Sequence, residues 1–295
     1  MLPYCFREFS LNLHGRLLEV KRPVVMGILN VTPDSFYAGS RTESTAEIER
    51  RVSRMLAEGA DMIDIGAYSS RPGAADVSVA EETERLRHGM AALRRVAADV
   101  PVSVDTFRAD VARAAVEEMG VQMINDISGG DLDSRMWDTV ASLKVPYILM
   151  HMRGTPSTMQ TLTDYPAGVT AEVTADLSRK IDALRMKGVA DIIADPGLGF
   201  AKTVAQNYEL LRHTGEIGSL LDVPVLIGLS RKSMFTRPLG ISADDALPAT
   251  VAGNTIAMLG GAAIVRVHDV AAAVQAREVA AMTFPQSIQS ITDLQ

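Results

Sequence analysis

Polar and charged side chains follow nearly every short apolar run in this chain, at positions where they could bind a ligand. A polar residue at the end of a buried strand either makes a structural hydrogen bond or is available to a ligand. Any single one has a structural explanation, such as a helix N-cap, but the same feature after seven runs indicates a ligand site. The residues concerned are Asn30, Ser69 to Arg71, Asp105, Asn125, Asp126, Asp195, Ser230 to Lys232, Arg266 and His268.

The last apolar run places two potential cations side by side. Residues two apart share one face of a strand, so Arg266 and His268 point the same way, while Val265 and Val267 occupy the other face. Cationic side chains in such a cluster attract anions, phosphate groups in particular. The end of this run therefore indicates an anion site.

The preceding run supports the same site. Gly228, Ser230 and Lys232 share a face if the strand persists that far, and Gly228 leaves room for a flat ring to approach the backbone. Barrels of eight parallel strands commonly bind phosphate near the loops after strands seven and eight. We therefore expect Lys232, Arg266 and His268 to cluster there.

Asp105, Asn125 and Asp195 could recognise a flat polar ring. Carboxylates accept hydrogen bonds, and an amide donates and accepts them, which suits a ring that carries amino and lactam groups. The two aspartates could instead form a metal site or an acid–base pair. They follow the third and sixth runs, which puts them on opposite sides of the site and too far apart to share one proton, so ligand recognition is preferred.

Eight short apolar runs alternate with stretches of helical periodicity, the pattern of a parallel sheet covered by helices. Val173, Leu177, Ile181 and Leu184, for example, line one helix face. Eight such units favour an α/β fold of the closed (β/α)8 TIM barrel type over an open doubly wound sheet. The runs are residues 24–30, 62–67, 102–106, 123–127, 147–152, 192–195, 225–230 and 263–268.

Glycines mark the ends of the predicted helices. Gly59, Gly120, Gly188 and Gly260 each precede an apolar run, and each fits a left-handed C-cap. No linker divides the 295 residues, so a single barrel domain over 1–295 is expected. Within it, residues 1–22 are predicted to form an N-terminal β-hairpin that closes the barrel bottom, and residues 285–295 a loose C-terminal tail.

Composition restricts the partners and the location. The net charge is -7 and the basic residues are scattered, which argues against a nucleic-acid surface. One cysteine suits a reducing compartment, and no stretch is apolar enough for a membrane span or a secretory signal. A cytoplasmic protein without nucleic-acid or membrane partners is expected.

Two long connecting segments look like mobile lids over the strand ends. The first lid is VTPDSFYAGSR, residues 31–41, and the second lid is YSSRPGAADVS, residues 68–78. Both are rich in Pro, Gly, Ser and Asp and are longer than simple connections. Segments of this kind close over substrates and exclude water.

Eight motifs, in order along the chain, resemble those of the dihydropteroate synthases. The resemblance covers residues 24–270 and implies a transferase of folate biosynthesis that joins 6-hydroxymethyl-7,8-dihydropterin pyrophosphate to p-aminobenzoate, giving 7,8-dihydropteroate and pyrophosphate. The motifs are ILNVTPDSF (28–36), SSRPG (69–73), SVDTF (103–107), INDISGG (124–130), LMHMRGTPSTMQ (149–160), DPGLGFAKT (195–203), GLSRKSM (228–234) and RVHDV (266–270).

The resemblance also implies roles for individual residues. The pterin-binding set is Asp105, Asn125, Ile127, Met150, Asp195, Phe200, Gly228 and Lys232. The pyrophosphate-binding set is Asn30, Ser70, Arg71, Arg266 and His268, and Asn30 is also the implied ligand of Mg2+, the implied cofactor. The p-aminobenzoate set is Phe36, Ser70, Arg71, Pro72, Phe200, Ser230 and Lys232. Catalysis is assigned to Asp105, Asn125, Asp195, Lys232, Arg266 and His268.

An SN1-like mechanism follows from the resemblance. The bond from the pterin methylene to pyrophosphate would break first, leaving a cation delocalised into the pterin opposite Asp105 and Asp195. Mg2+, Arg266 and His268 would stabilise the departing pyrophosphate. The resemblance further implies a homodimer through the late helices and competition by sulfonamides at the p-aminobenzoate site. Tyr68 departs from the family pattern, because many members have a glutamate there.

Three alternative functions remain to be compared with this one. A pterin-binding methyltransferase domain shares the barrel but needs no pyrophosphate site, so Lys232, Arg266 and His268 favour the synthase. An aldolase would use Lys232 as a Schiff base, which borohydride trapping would reveal. An inactive regulatory paralogue is expected to lose Asn30, Lys232 or His268, and all three are retained.

Overall fold

The computed structural model describes residues 6–31, 41–68 and 77–284, so most of both lids and the predicted tail lie outside the described residues. The strands are β1 (Phe9–Leu13), β2 (Arg16–Val20), β3 (Val24–Asn30), β4 (Met62–Gly66), β5 (Val102–Asp105), β6 (Met123–Asp126), β7 (Tyr147–Met150), β8 (Ile192–Asp195), β9 (Leu226–Ile227) and β10 (Ile264–Val267). The helices are α1 (Arg41–Ala57), α2 (Val79–Val96), α3 (Ala109–Met119), α4 (Met136–Leu143), α5 (Val169–Met186), α6 (Val204–Arg212), α7 (Thr214–Leu221), α8 (Ser233–Leu239), α9 (Leu247–Leu259) and α10 (Val270–Thr283).

Strands β3 to β10 form a parallel barrel, which confirms the predicted (β/α)8 fold. Their order is β8-β7-β6-β5-β4-β3-β10-β9, and an isolated bridge between Ala194 and Val225 joins the two ends of the sheet. A helix follows each strand and packs on the outside, as in other barrels of this type. The barrel therefore brings the carboxyl ends of all eight strands to one end of the molecule, called the mouth below.

The seventh barrel strand is shorter than predicted. Strand β9 ends at Ile227, and Arg231 has a left-handed backbone with φ of 54°. The Arg231 guanidinium donates two hydrogen bonds of 2.8 Å to the Asp269 carboxylate, and these bonds fix the turn. The predicted strand over residues 225–230 is therefore too long, and it does not persist to Lys232, because the chain turns before that residue.

The N-terminal hairpin is confirmed, and it closes the bottom of the barrel. Strands β1 and β2 pair antiparallel around a turn at His14 and Gly15, both with positive φ. Buried side chains of the hairpin pack on the apolar side chains that fill the lower barrel, and this bottom layer is dry. The cluster contains Leu11, Leu13, Val20, Val24, Met26, Met62, Met123, Ile148, Ile193, Leu226, Ala263 and Ile264.

Left-handed glycines end several of the helices. Gly59, Gly120 and Gly188 have φ values of 94°, 67° and 89°, as the sequence predicts. Gly260 does not, because it has φ of -75° and continues the helical turn of α9. Its neighbour Gly261 takes the left-handed conformation instead, with φ of 95°, so the prediction is wrong by one residue.

The outer helices bury one face each. In α5 the predicted stripe of Val173, Leu177, Ile181 and Leu184 is buried against the barrel.

Across the described part of the chain, no helix is both long and apolar enough to cross a membrane.

Candidate active site

The inward face of the barrel changes from apolar to polar between the bottom layer and the mouth. Residues two apart on a strand share a face, so each change takes place within one alternation of side chains. Burying a polar group inside a barrel costs free energy unless the group forms a hydrogen bond to another protein group or to a ligand. The changes are Met62 to Asp64, Met123 to Asn125, Ile193 to Asp195 and Ile264 to Arg266.

Asp64 lies at the centre of the polar layer and is fully buried. Its carboxylate accepts hydrogen bonds from Ser103 Oγ at 2.5 Å, Asn125 Nδ2 at 3.0 Å and Arg266 Nε at 2.6 Å. A buried carboxylate is tolerated only with such partners. Asp64 therefore orients two of the predicted site residues, although the sequence prediction did not include it.

Arg266 joins Asp64 to Asp105 across the barrel. Its second guanidinium nitrogen donates to Asp105 Oδ2 at 2.8 Å, so one cation is shared between two carboxylates. Burial raises the pKa of Asp105 to about 7, and the positive charge of Arg266 opposes this rise only in part. At neutral pH, Asp105 can therefore accept or donate a hydrogen bond to a ring.

Asp195 lies at the end of β8, three strands away from Asp105 on β5. Its Oδ1 accepts a hydrogen bond from the Gly197 amide at 2.7 Å, which fixes the rotamer. Burial raises the pKa of Asp195, whereas the nearby Lys232 charge lowers it. The edge of a ring that is cationic or donates hydrogen bonds would replace the hydration that this carboxylate has lost.

Lys232 approaches Asp195 from the turn that precedes α8. Its Nζ donates to the Leu198 carbonyl at 2.5 Å and lies 4.7 Å from the centre of the Phe200 ring. Burial lowers the pKa of Lys232 to about 8, while the Asp195 charge raises it. The residue is thus mostly cationic at pH 7, and Gly228 lies beside it, since a Cβ there would be 4.0 Å from the ammonium nitrogen.

Apolar side chains line the mouth next to these charges. Ile127, Met150 and Met152 are buried in one cluster, and Phe200 packs on its edge. The structure thus brings together three of the predicted apolar contacts from β6, β7 and the loop after β8. A flat ring bound between the charged residues would contact this wall.

His268 differs in charge from the expected pair of cations. Desolvation, together with the adjacent Arg266 charge, lowers the pKa of His268 to about 4, although the residue is exposed at the mouth. The free protein therefore has a cation at Arg266 and a neutral imidazole beside it at pH 7. Ser230 links the two last strands, because its Oγ accepts a hydrogen bond from the His268 amide at 3.2 Å.

Asn30 ends β3 at the mouth and provides an amide oxygen, a group that can bind Mg2+ directly. Within residues 6–31, 41–68 and 77–284, no group of three or more His, Cys, Asp or Glu side chains is arranged to hold a metal ion. Mg2+ often keeps several waters and binds through few protein oxygens together with substrate phosphates. The residues therefore fit an ion that is bound jointly with pyrophosphate.

One predicted strand-end residue has a structural role. The Asp126 carboxylate accepts hydrogen bonds from Ser128 Oγ at 2.7 Å, the Gly130 amide at 2.9 Å and Tyr147 Oη at 2.7 Å. These bonds account for a fully buried carboxylate on the helix side of the barrel. Asp126 is therefore a structural residue and Asn125, its neighbour, faces the mouth.

Tyr68, the first residue of the second lid, departs from the family pattern and packs on Phe107. Its ring makes an edge-on contact with Phe107, with 5.0 Å between the ring centres, and Arg108 lies 5.4 Å from the Tyr68 ring. Phe36, Ser70, Arg71 and Pro72, which belong to the two lids, lie outside the described residues.

Comparison with known proteins assigns a class to this barrel. The family profile described as "Pterin binding enzyme" matches residues 26–268, which span all eight barrel strands. The barrel and its mouth are therefore those of a pterin-binding enzyme.

Similar proteins define the family within that class. The dihydropteroate synthase of Synechocystis sp. is 45% identical over 263 residues, covering 88% of this chain and 90% of the relative. A structure of the Xanthomonas albilineans dihydropteroate synthase with 4-aminobenzoic acid has a TM-score of 0.85 at 40% identity and covers 94% and 98% of the two chains. The Yersinia pestis enzyme, solved in a sulfonamide drug complex, gives 0.84 at 37% identity, with 93% and 99% covered. This chain belongs to the dihydropteroate synthase family.

Proposed function

We propose that this protein catalyses dihydropteroate synthesis, joining 6-hydroxymethyl-7,8-dihydropterin pyrophosphate to p-aminobenzoate with release of pyrophosphate. The observation that carries the proposal is the polar layer itself, where Asp105, Asp195, Lys232 and Arg266 lie at the mouth of a barrel of this family. A methyltransferase would not need the two cations, and the relatives at high coverage are synthases.

The pterin ring binds between the carboxylates and the apolar wall. Asp105, Asn125 and Asp195 supply acceptors and donors for the amino and lactam groups of the ring, and Met150 and Phe200 cover its face. Both carboxylates have raised pKa values because burial disfavours their charge. A ring that becomes cationic would favour the ionised carboxylates, so the site stabilises the transition state more than the substrate.

The carbon–oxygen bond then breaks, and its electron pair leaves with the pyrophosphate oxygen. In the free protein, Arg266 donates hydrogen bonds to Asp64 and Asp105. When the pterin ring binds to the Asp105 carboxylate, Arg266 loses that hydrogen bond and can donate to the pyrophosphate instead. His268 is neutral and donates one N–H to the same anion. Asn30 would hold Mg2+ together with the substrate, and the ion would supply further positive charge to the leaving group.

The amine nitrogen of p-aminobenzoate attacks the methylene carbon and releases a proton to solvent. A cation of this kind reacts with a weakly basic amine, so no strong general base is required. Ser230 and Lys232 lie on the side of the mouth where the amine would enter, and Ser70, Arg71, Pro72 and Phe36 complete this subsite in the proposal. Sulfonamides would bind there in place of p-aminobenzoate, and the similar Yersinia pestis enzyme has been solved in a sulfonamide drug complex.

We also propose a homodimer in the cytoplasm. Helices α9 and α10 pack together, and they expose the apolar side chains of Ile256, Val279 and Met282, of which Met282 is 74% exposed. Exposed apolar patches on late helices commonly mark subunit contacts. Sedimentation of the wild type and of Val279→Asp tests this, since a shift of the variant to monomer supports the contact and an unchanged dimer contradicts it.

The decisive assay is the stoichiometry of products. The protein is supplied with the pterin pyrophosphate, Mg2+ and p-aminobenzoate, and pyrophosphate and dihydropteroate are quantified together. We expect one dihydropteroate per pyrophosphate from the wild type, and a large loss in Lys232→Ala. If the wild type forms no dihydropteroate, the proposed function is wrong.

A further inference from the structure

Lys202 is a buried lysine that the proposed chemistry does not use. Its side chain is 7% exposed, and its Nζ donates hydrogen bonds to the carbonyls of Gly197 at 3.0 Å and Phe200 at 2.9 Å. It also approaches His151, at 3.1 Å from Nδ1 and 3.4 Å from the carbonyl oxygen. An ammonium group has three protons and no acceptor, so four acceptors around it satisfy it fully.

Two of these acceptors, the Gly197 and Phe200 carbonyls, belong to a tight turn after β8, and the other two belong to His151 at the end of β7. Gly197, Gly199 and Ala201 all have left-handed backbones, with φ of 71°, 87° and 50°. A Cβ on Gly197 would lie 2.0 Å from the His151 carbonyl oxygen, so the turn packs directly on the end of β7. A non-glycine residue such as Ala201 resists this conformation, which therefore needs bonds that hold it.

The same turn carries parts of the proposed pterin site. Asp195 precedes it, the Leu198 carbonyl accepts the bond from Lys232, and the Phe200 ring contacts the Lys232 ammonium. Gly199 also approaches Lys232 closely, because a Cβ there would lie 3.0 Å from Lys232 Cδ. A small shift of the turn would thus move the cation and the aromatic wall together.

Burial and neighbouring charges set the protonation states of Lys202 and His151. His151 is neutral, since burial and the Lys202 charge lower its pKa to about 2, so its Nδ1 accepts the bond. Burial lowers the pKa of Lys202 to about 7, while Asp195 and Asp176 raise it and Lys232 and Arg153 lower it. The carbonyl oxygens stabilise the charged form that remains at neutral pH.

We propose that Lys202 is a positioning residue of the synthase, whose ammonium group holds the turn over residues 197–201 against His151 and so presents Phe200 and the Leu198 carbonyl to the pterin site. The inference rests on the proposed function, because it concerns the same pterin site. Lys202 itself makes no contact with the reacting atoms in this scheme.

The test compares Lys202→Met with Lys180→Met. Lys180 is a second buried lysine, 5% exposed, whose Nζ bonds to Asp131 at 2.7 Å. We expect Lys202→Met to weaken binding of 6-hydroxymethylpterin by about 10- to 100-fold, since small displacements of a site cost that much. The KM for pterin pyrophosphate should rise, whereas kcat, the rate at saturating pterin pyrophosphate, should change far less. Lys180→Met should lower the melting temperature without changing pterin affinity.

Chemical rescue separates the ammonium group from simple packing. Cys5 is the one cysteine of the chain, so Lys202→Cys in a Cys5→Ser background can be alkylated in denaturant and refolded. Bromoethylamine restores an ammonium at nearly the original length and should restore pterin affinity, whereas iodoacetamide, which adds a neutral group, should not. Equal recovery with both reagents overturns the inference.

The remaining outcomes distinguish the two proposals. If the wild type binds pterin and Lys202→Met binds it equally well, the positioning role is wrong and the proposed function stands. If Lys180→Met weakens pterin binding as much as Lys202→Met, the effect belongs to any buried lysine and the inference is again wrong. A wild type that binds no pterin contradicts the proposed function and the inference together.

Discussion

The two ends of the barrel interior have opposite chemistry although the same strands form them. The bottom layer contains apolar side chains and packs on the hairpin, whereas the mouth contains two cations and several carboxylates within one alternation of side chains. On one strand, an inward apolar side chain can therefore stabilise the fold while the inward polar side chain two residues later serves the ligand site. Variants of neighbouring inward residues should therefore give opposite phenotypes.

The largest effect is expected from Asp195→Asn. The amide keeps the Oδ1 bond to the Gly197 amide but removes the negative charge that faces a cationic ring. We predict a fall in kcat/KM of about 100- to 1,000-fold, as for removal of one preorganised electrostatic group. Urea unfolding should show equal or greater stability, because burial already disfavours this charge. Activity near wild type would contradict the role.

Ile193→Ala is the matched variant at the bottom of the same strand. Ile193 is fully buried, so truncation leaves a cavity and should lower the free energy of unfolding by about 2–5 kcal/mol. Well below its melting temperature, the folded variant should keep kcat/KM within about threefold, because its cavity lies in the apolar bottom layer and removes none of the polar contacts at the mouth. A collapse of activity in fully folded protein would show that the two ends are coupled.

An intermediate effect is expected from Asp64→Asn, between the two layers. Arg266 loses a charged partner, and hydrogen bonds to charged groups contribute about 1.5–3 kcal/mol, so pterin affinity should fall about 10-fold. Asp126→Asn removes another buried carboxylate, which bonds to Ser128 and Tyr147 instead. Calorimetric titration with pterin should separate them, and equal affinities for the two variants would contradict the role of Asp64.

The smallest effect concerns pH. The pKa of Asp105 is about 7 in the folded protein and near the ordinary value when unfolded, so the folded protein binds the extra proton between about pH 4 and 7. Stability from this group therefore falls as pH rises through that window. Asp105→Asn should gain stability relative to wild type at pH 8 but not at pH 4. A constant difference in urea unfolding would contradict the shifted pKa.

Much of this architecture was predictable from the sequence. Apolar runs that end in polar residues, separated by helices with glycine stops, indicate parallel strands whose carboxyl ends meet. For that reason Asp105, Asn125, Asp195, Lys232 and Arg266 could be placed at one site before the structure was known. The hairpin followed from the turn at His14 and Gly15 in the same way.

The remaining features depend on tertiary contacts. Asp64 was missed because it lies inside a strand rather than at its end, although a charge flanked by Met62, Ile63 and Ile65 already signals a buried partner. The early end of β9 depends on the pairing of Arg231 with Asp269, 38 residues away. Two adjacent glycines made the helix stop ambiguous by one position.

Direct binding of 6-hydroxymethylpterin tests the central claim that the mouth is the pterin site. Isothermal titration would compare the wild type with Lys232→Ala and with Leu13→Ala from the hairpin. The account predicts that Lys232→Ala loses affinity by about 10- to 100-fold, because a hydrogen bond from a charged group contributes about 1.5–3 kcal/mol, and that Leu13→Ala binds like the wild type. Unchanged pterin affinity in Lys232→Ala would contradict it.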